Sequence, residues 1–158
     1  MKQPLNKGVS FGLTSATITT LGLMIGLHSE TKSAVVVLGG VLTIAVADAF
    51  SDALGIHISE EGENQHPARE IWRSTITTFL TKFIFAMSFV IPILLLPLSI
   101  AIVTGLAWGM SALTLLSYLI AKNQKVRPWK VIAEHLGIAS LVIIIAHFLG
   151  DWIATYGK

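Results

Sequence analysis

The 158-residue chain contains no cysteine. That excludes disulfides, thiolate zinc sites and iron–sulfur clusters, so any metal must meet oxygen, nitrogen or thioether ligands. Charge is also scarce. Only 13% of residues are Asp, Glu, Lys or Arg, against about 25% in soluble domains. The net charge is +2 and the basic residues form no single patch, which leaves no footprint for nucleic acid. Neither an HExxH pair nor a GxSxG elbow is present, and the five histidines are scattered. Those absences argue against an intramembrane enzyme. The chain does not open on a short apolar stretch with a small-residue cleavage site, so no removable signal peptide is expected.

Apolar sequence is what the chain has in excess: 53% of residues are hydrophobic and the mean hydropathy is +0.74. A helix needs about 20 apolar residues to cross a bilayer, and five segments qualify, at about 8–27, 34–57, 74–96, 98–121 and 131–154. Polar stretches divide them, from His28 to Lys32, from Ser59 to Arg73 and from Lys122 to Lys130; Pro97 alone divides the third from the fourth. Pro92 is placed to kink the end of span three. The expected fold is a single all-α membrane domain, 1–158, with five transmembrane helices. Lys2, Lys7, Arg69, Arg73, Lys122, Lys125, Arg127 and Lys130 fall on one side, and only Lys32 and Lys158 on the other. Basic loops face the cytoplasm, so the N-terminus is expected there. Trp72, Trp129, Trp152 and Tyr156 lie near span ends, as interfacial aromatics do.

Span one carries a stripe of small residues: Gly8, Gly12, Ser15, Thr19, Gly22 and Gly26. Such a stripe lets helix backbones approach closely in lipid. It fits packing within the chain or against a second copy. Gly105 and Gly109 form a shorter pair of the same kind in span four.

The most informative residues are Asp48 and Asp52, inside the second span. Four residues apart, they share one helix face, about a turn from each other. A carboxylate at membrane depth costs at least about 2.5–3.5 kcal/mol, so it is held by an ion, a proton or a fixed partner. With the helix ending near residue 58, Asp52 would lie roughly 9 Å and Asp48 roughly 15 Å below the boundary. Two adjacent carboxylates resist joint ionisation unless a cation lies between them, which lets protons compete with metal. Lys82, at similar depth in span three, offers the other solution, a buried Lys–Asp pair. Glu60, Glu61 and Glu63 lie in the acidic connection after span two and can draw cations to an entrance. His147 and Asp151, four apart in span five, form either an outer exit site or a local hydrogen bond. Met24, Met87 and Met110 read as packing residues.

The segment Phe11 to Gly26, FGLTSATITTLGLMIG, and the segment Ala45 to Ser59, AVADAFSDALGIHIS, resemble the opening spans of the vacuolar iron transporter family. His147 to Gly150 is loosely similar to the family's terminal helix. The likeness covers the five-span architecture of nearly the whole chain and is specific over the first sixty or so residues. It implies a homodimer of five-helix subunits, a path lined by spans one and two, and export of Fe²⁺ or Mn²⁺ against protons. By position, the family's span-two glutamate falls on Asp52, its span-one aspartate on Ser15, and its span-two methionine on Asp48. The connection after span two is too short for the helical metal-binding domain that many members carry there.

The expectation is therefore a homodimeric secondary transporter exporting divalent metal, Fe²⁺ or Mn²⁺, in exchange for protons. The metal is substrate, and no permanently bound cofactor is expected. Asp48 and Asp52 would bind it, Ser15 and Thr19 would line the path, and Glu60, Glu61 and Glu63 would attract it. The lipid bilayer of a prokaryotic plasma membrane is the expected setting. The alternative is a membrane scaffold or regulatory subunit whose buried Asp/Lys pairs serve assembly.

Overall fold

The computed structural model describes residues 3–157, and their side chains from Lys7 onward. Lys2 and Lys158, used in the orientation count, lie outside the described residues. Six helices follow in order: α1 (Gln3–Thr31), α2 (Ala34–Glu63), α3 (Ala68–Ser88), α4 (Val90–Leu95), α5 (Leu98–Gln124) and α6 (Pro128–Tyr156). With α3 and α4 forming one interrupted span, five are long and apolar enough to cross a membrane, with mean hydropathies of 1.4 to 2.1. No strand occurs among the described residues.

The break inside the third span falls at Phe89 and has a local cause. Pro92 has no N–H for the Ser88 carbonyl, and its ring crowds that carbonyl. The chain responds by tightening: the Phe89 N–H bonds to Ala86 O at 3.2 Å. Pro97 ends α4 as expected, and Leu96 before it is extended (φ −123°, ψ 155°). At the other turns Lys32, Asn64 and Lys125 take positive φ. Ser33 caps α2, accepting from the Val36 N–H.

The connection from Ser59 to Arg73 is mostly helix, which corrects the expected acidic loop. Only Asn64 to Pro67 falls outside α2 and α3. The 30 residues of α2 make a rod about 45 Å long, longer than the roughly 30 Å hydrocarbon core. Glu60, Glu61 and Glu63 therefore ride on the projecting end of the helix that carries Asp48 and Asp52. Measured from the true end at Glu63, Asp52 lies about 17 Å and Asp48 about 23 Å along the axis, deeper than expected.

α1 is the axis of the bundle and packs against α2, α3, α5 and α6. Ala16, Thr17, Thr20 and Met24 are wholly enclosed. The small-residue stripe is used within the chain. A Cβ on Gly8 or Gly12 would meet the Ser74 or Thr78 carbonyl of α3 at 2.8 and 2.9 Å; one on Gly22 would meet Val142 of α6 at 3.1 Å. Gly105 and Gly109 admit Met24, Leu21 and Phe89 in the same way. These side chains join Val37, Val41, Val90, Ile93 and Ala101 in one apolar core, at the end of the bundle away from the α2–α3 connection. Met87 and Met110 pack on it, in keeping with their reading as packing residues. The outward sides of α2 and α6 expose Phe50, Leu54, Ile144 and Phe148, as lipid-facing surfaces do.

Overpacking this axis is expected to cost about 1–3 kcal/mol. Gly12→Val should lower the thermal unfolding midpoint in detergent. Gly55→Ala, where no atom lies within 4 Å of the added methyl, should leave it unchanged or raise it through about 0.5–1 kcal/mol of helix propensity.

A buried carboxylate–lysine cluster

On α3 the enclosed positions are Ile71, Ser74, Thr78, Lys82 and Ala86, a three-to-four residue spacing that fits the face toward α1 and α2. Ser74 and Thr78 are small, and Gly12 brings the α1 backbone close to Lys82 N. α3 also packs directly against α2, so the lysine enters the seam where α1, α2 and α3 meet. On α2 the enclosed face is Val37, Val41, Ala45, Ala49, Ala53, Ile56 and Glu60. Asp48 and Asp52 sit at its edge, toward the lysine.

Three helices converge on the Lys82 ammonium, which is 1% exposed. Nζ donates to Ser15 Oγ of α1 at 2.7 Å and forms a short ion pair with Asp52 Oδ2 of α2. Asp48 Oδ2 lies 2.6 Å from the same Nζ. That oxygen has no hydrogen bond of acceptable angle, so the close contact is best described as ionic. The side chains of Asp48 and Asp52 remain 24% and 19% exposed. Lys82 lies about 21 Å along α3 from Ala68, near the middle of the span that ends at Leu95. Two carboxylates and one ammonium thus meet at mid-bundle, a formal sum of −1 when all are ionised.

A shallow groove of ≈ 740 Å³, open to the surface, runs between α1 and α2, with Asp48 and Ser51 on its wall beside Thr19, Leu23 and Thr43. Asp48 therefore borders both the lysine and this groove. Ser15 belongs to the cluster as an acceptor for Lys82, and Thr19 borders the groove. The Thr19 hydroxyl donates back to Ser15 O at 2.9 Å.

The remaining candidates lie apart from the cluster. Glu60 is 1% exposed, with Lys7 Nζ 2.7 Å from Oε1 and His66 Nε2 3.7 Å from Oε2. Lys7 also reaches Glu63 at 3.7 Å, and His66 Nδ1 reaches Glu70 at 3.3 Å. Only Glu61 of the three glutamates is exposed without an ion pair among the described residues. Sequence reasoning missed Lys7, His66 and Glu70 as partners. The usable signal was that Glu60 continues the enclosed face of α2 one turn beyond Ile56. His147 and Asp151 form a 3.6 Å contact, both about half exposed. Nδ1 of the histidine meets Ser29 Oγ at 2.5 Å, so the pair also ties α6 to α1. Among the described residues no three His, Asp or Glu side chains gather in a metal-holding group. Any metal at Asp48 and Asp52 would complete its shell with water and hydroxyl oxygen, as hard divalent cations do.

The chain matches no family model, no curated protein and no solved structure.

Removing one side of a buried ion pair costs about 3–5 kcal/mol, whereas replacing both sides is often nearly neutral. Lys82→Met is therefore expected to destabilise the bundle strongly, and adding Asp52→Asn to it should recover part of the loss. Detergent unfolding of both single variants and the double variant would measure this coupling. Strict additivity would mean that the contact carries no stability.

Proposed function

We propose that the chain is a five-span membrane transporter that moves a divalent cation, Fe²⁺ or Mn²⁺, out of the cytoplasm in exchange for protons. One observation carries this reading: two carboxylates share one ammonium at mid-bundle, and one of them, Asp48, borders an open groove between α1 and α2. A purely structural pair needs one carboxylate per lysine. The second exceeds what the lysine's single charge can balance and offers a place for added positive charge.

In this mechanism Lys82 holds the seat while metal is absent. An arriving cation displaces the ammonium from Asp48 and Asp52. Two carboxylates neutralise one divalent ion, so Lys82 then has no anionic partner left. Metal entry and displacement of Lys82 are coupled through the same three side chains, and protons compete with metal for the two carboxylates. Ser15 and Thr19 supply neutral oxygens along the path, and Glu61, the one glutamate of the three without an ion pair among the described residues, supplies negative potential at the far end of α2. The excess of Lys and Arg on the inner segments supports a cytoplasmic N-terminus. The resemblance of the first two spans to vacuolar iron transporters supports the metal class, the homodimer and the α1/α2 path. A prokaryotic plasma membrane remains the proposed setting.

The assembly reading is favoured by one specific fact, that Lys82 already lies against both aspartates. The two readings differ in their response to metal. For a transporter, Mn²⁺ or Fe²⁺ should raise the unfolding temperature and should rescue Lys82→Met by filling the vacated seat. A scaffold would show neither effect with any of Fe²⁺, Mn²⁺, Co²⁺, Zn²⁺ and Mg²⁺.

In proteoliposomes, Asp52→Asn is expected to abolish metal flux; intact flux in that variant would refute the site. Protons compete for the carboxylates, so metal binding should weaken on going from about pH 7.5 to about pH 5. Calorimetric titration at the two pH values would measure it, and equal affinity would exclude coupled exchange.

A further inference from the structure

A second site lies on the lipid-facing side of α2 and α3, outside the carboxylate cluster. A groove of ≈ 420 Å³ runs between the two helices, lined by Phe50, Leu54 and His57 of α2 and by Trp72, Ile76 and Phe79 of α3. Its lower walls are wholly apolar. At its upper end the His57 ring sits edge-on to Trp72, with centroids 4.7 Å apart. His57 Nδ1 lies 2.9 Å from Thr75 Oγ1, and that hydroxyl gives its own proton to Ile71 O at 2.8 Å. The histidine must therefore be the donor, which fixes its ring and leaves Nε2 as the free nitrogen. Around Trp72 the groove adjoins an open patch on the surface of α3, formed by Arg69, Trp72, Arg73, Ile76 and Thr77. Arg69 and Arg73 are one helical turn apart and exposed. Among the described residues no carboxylate lies within ion-pair distance of either. The neighbouring Glu63 and Glu70 are turned to Lys7 and His66.

We propose that this composite surface binds one anionic phospholipid, with its phosphate between Arg69 and Arg73 and one acyl chain in the groove between α2 and α3. Charge complementarity selects the headgroup. Two guanidinium groups without partners match a phosphodiester, and basic pockets at the membrane face recognise anionic lipid. Length selects the chain. From Arg69 to Phe79 the helix advances about 15 Å, half of the roughly 30 Å hydrocarbon core, so the groove spans one leaflet. Trp72 stands at the junction, where an amphipathic ring meets the headgroup level. A second protein copy would fit the apolar groove but would leave the two arginines unanswered.

The test uses the full-length chain in neutral detergent, titrated with phosphatidylglycerol or phosphatidylcholine of the same acyl chains. Phosphatidylglycerol should raise the unfolding temperature at roughly thirtyfold lower concentration, since two arginines at about 1 kcal/mol each favour the anionic headgroup and about 1.4 kcal/mol is tenfold. Brominated phosphatidylglycerol should quench tryptophan emission, and the quenched component should vanish in Trp72→Phe. The double variant R69Q/R73Q should lose the preference for phosphatidylglycerol while still responding weakly to both lipids. Leu54→Trp, which fills the groove, should lose the response to both. Equal responses to the two lipids in the unaltered chain would overturn the proposal. So would a preference that survives in R69Q/R73Q, or protection by inorganic phosphate alone, which would mean a free-anion site. Stabilisation that follows protein concentration and ignores lipid would assign the groove to a second copy.

Discussion

An ammonium and two carboxylates cannot be placed in the middle of a hydrophobic bundle independently of one another. Each alone would cost several kcal/mol to remove from water. Only their mutual contact makes α1, α2 and α3 compatible as neighbours. The Lys82 contact with Asp48, Asp52 and Ser15 is therefore a constraint on the whole fold. It fixes the rotation of α2 and α3 about their axes and the register between them. Slippage of either helix by one residue would swing its charge by about 100° and strand it.

The small residues of α1 make that contact possible. Gly8 and Gly12 let α3 come within van der Waals distance of the α1 backbone, and Thr17 and Thr20 are enclosed beside them. Hydroxyl-bearing residues suit this position because they satisfy themselves: Thr17 donates to Leu13 O and Thr78 to Ser74 O. With bulky side chains on α1, α3 would stand farther off and Lys82 would lose its contact with Ser15. The apolar core of Leu21, Met24, Phe89 and Ile93 holds the opposite end. The bundle is thus closed by dispersion at one end and by charge at the middle.

Five spans, the Pro97 turn and the possible pairing of Lys82 with an aspartate were all legible in the sequence. Hydropathy and proline chemistry act within a few residues, and both helical charges lay at similar depth. Other features depended on longer-range packing. The apparent loop after Ser59 is helix because Glu60 finds Lys7 and His66, partners distant in the chain or across the turn. Without them a buried glutamate would end the helix's favourable face. Pro92 was legible as a kink, but the break lies three residues earlier, where the proline ring and missing N–H act on the carbonyl of the preceding turn. The small-residue stripe was visible, while its partner was not, because glycine spacing records close approach and carries no mark of which helix approaches. The groove at Arg69, Arg73 and Trp72 drew no notice, since basic and aromatic residues at a span end already had an adequate reading as orientation and anchoring signals.

Charge counting separates structural from functional accounts of the cluster. Lys82 with Asp52 alone would be neutral, hydrogen-bonded and anchored to Ser15, and would satisfy every requirement of assembly. Asp48 adds a second negative group 2.6 Å from the same nitrogen. It gains no aligned hydrogen bond there, and it sits beside a groove whose other walls are mostly apolar. Counted at full charge, the cluster has one carboxylate more than its single ammonium balances, and a charge at membrane depth is costly. The surplus group, Asp48, is 24% exposed and borders the groove between α1 and α2. The second carboxylate is what an account by assembly alone leaves unexplained, and it is the feature on which the proposed cation exchange rests.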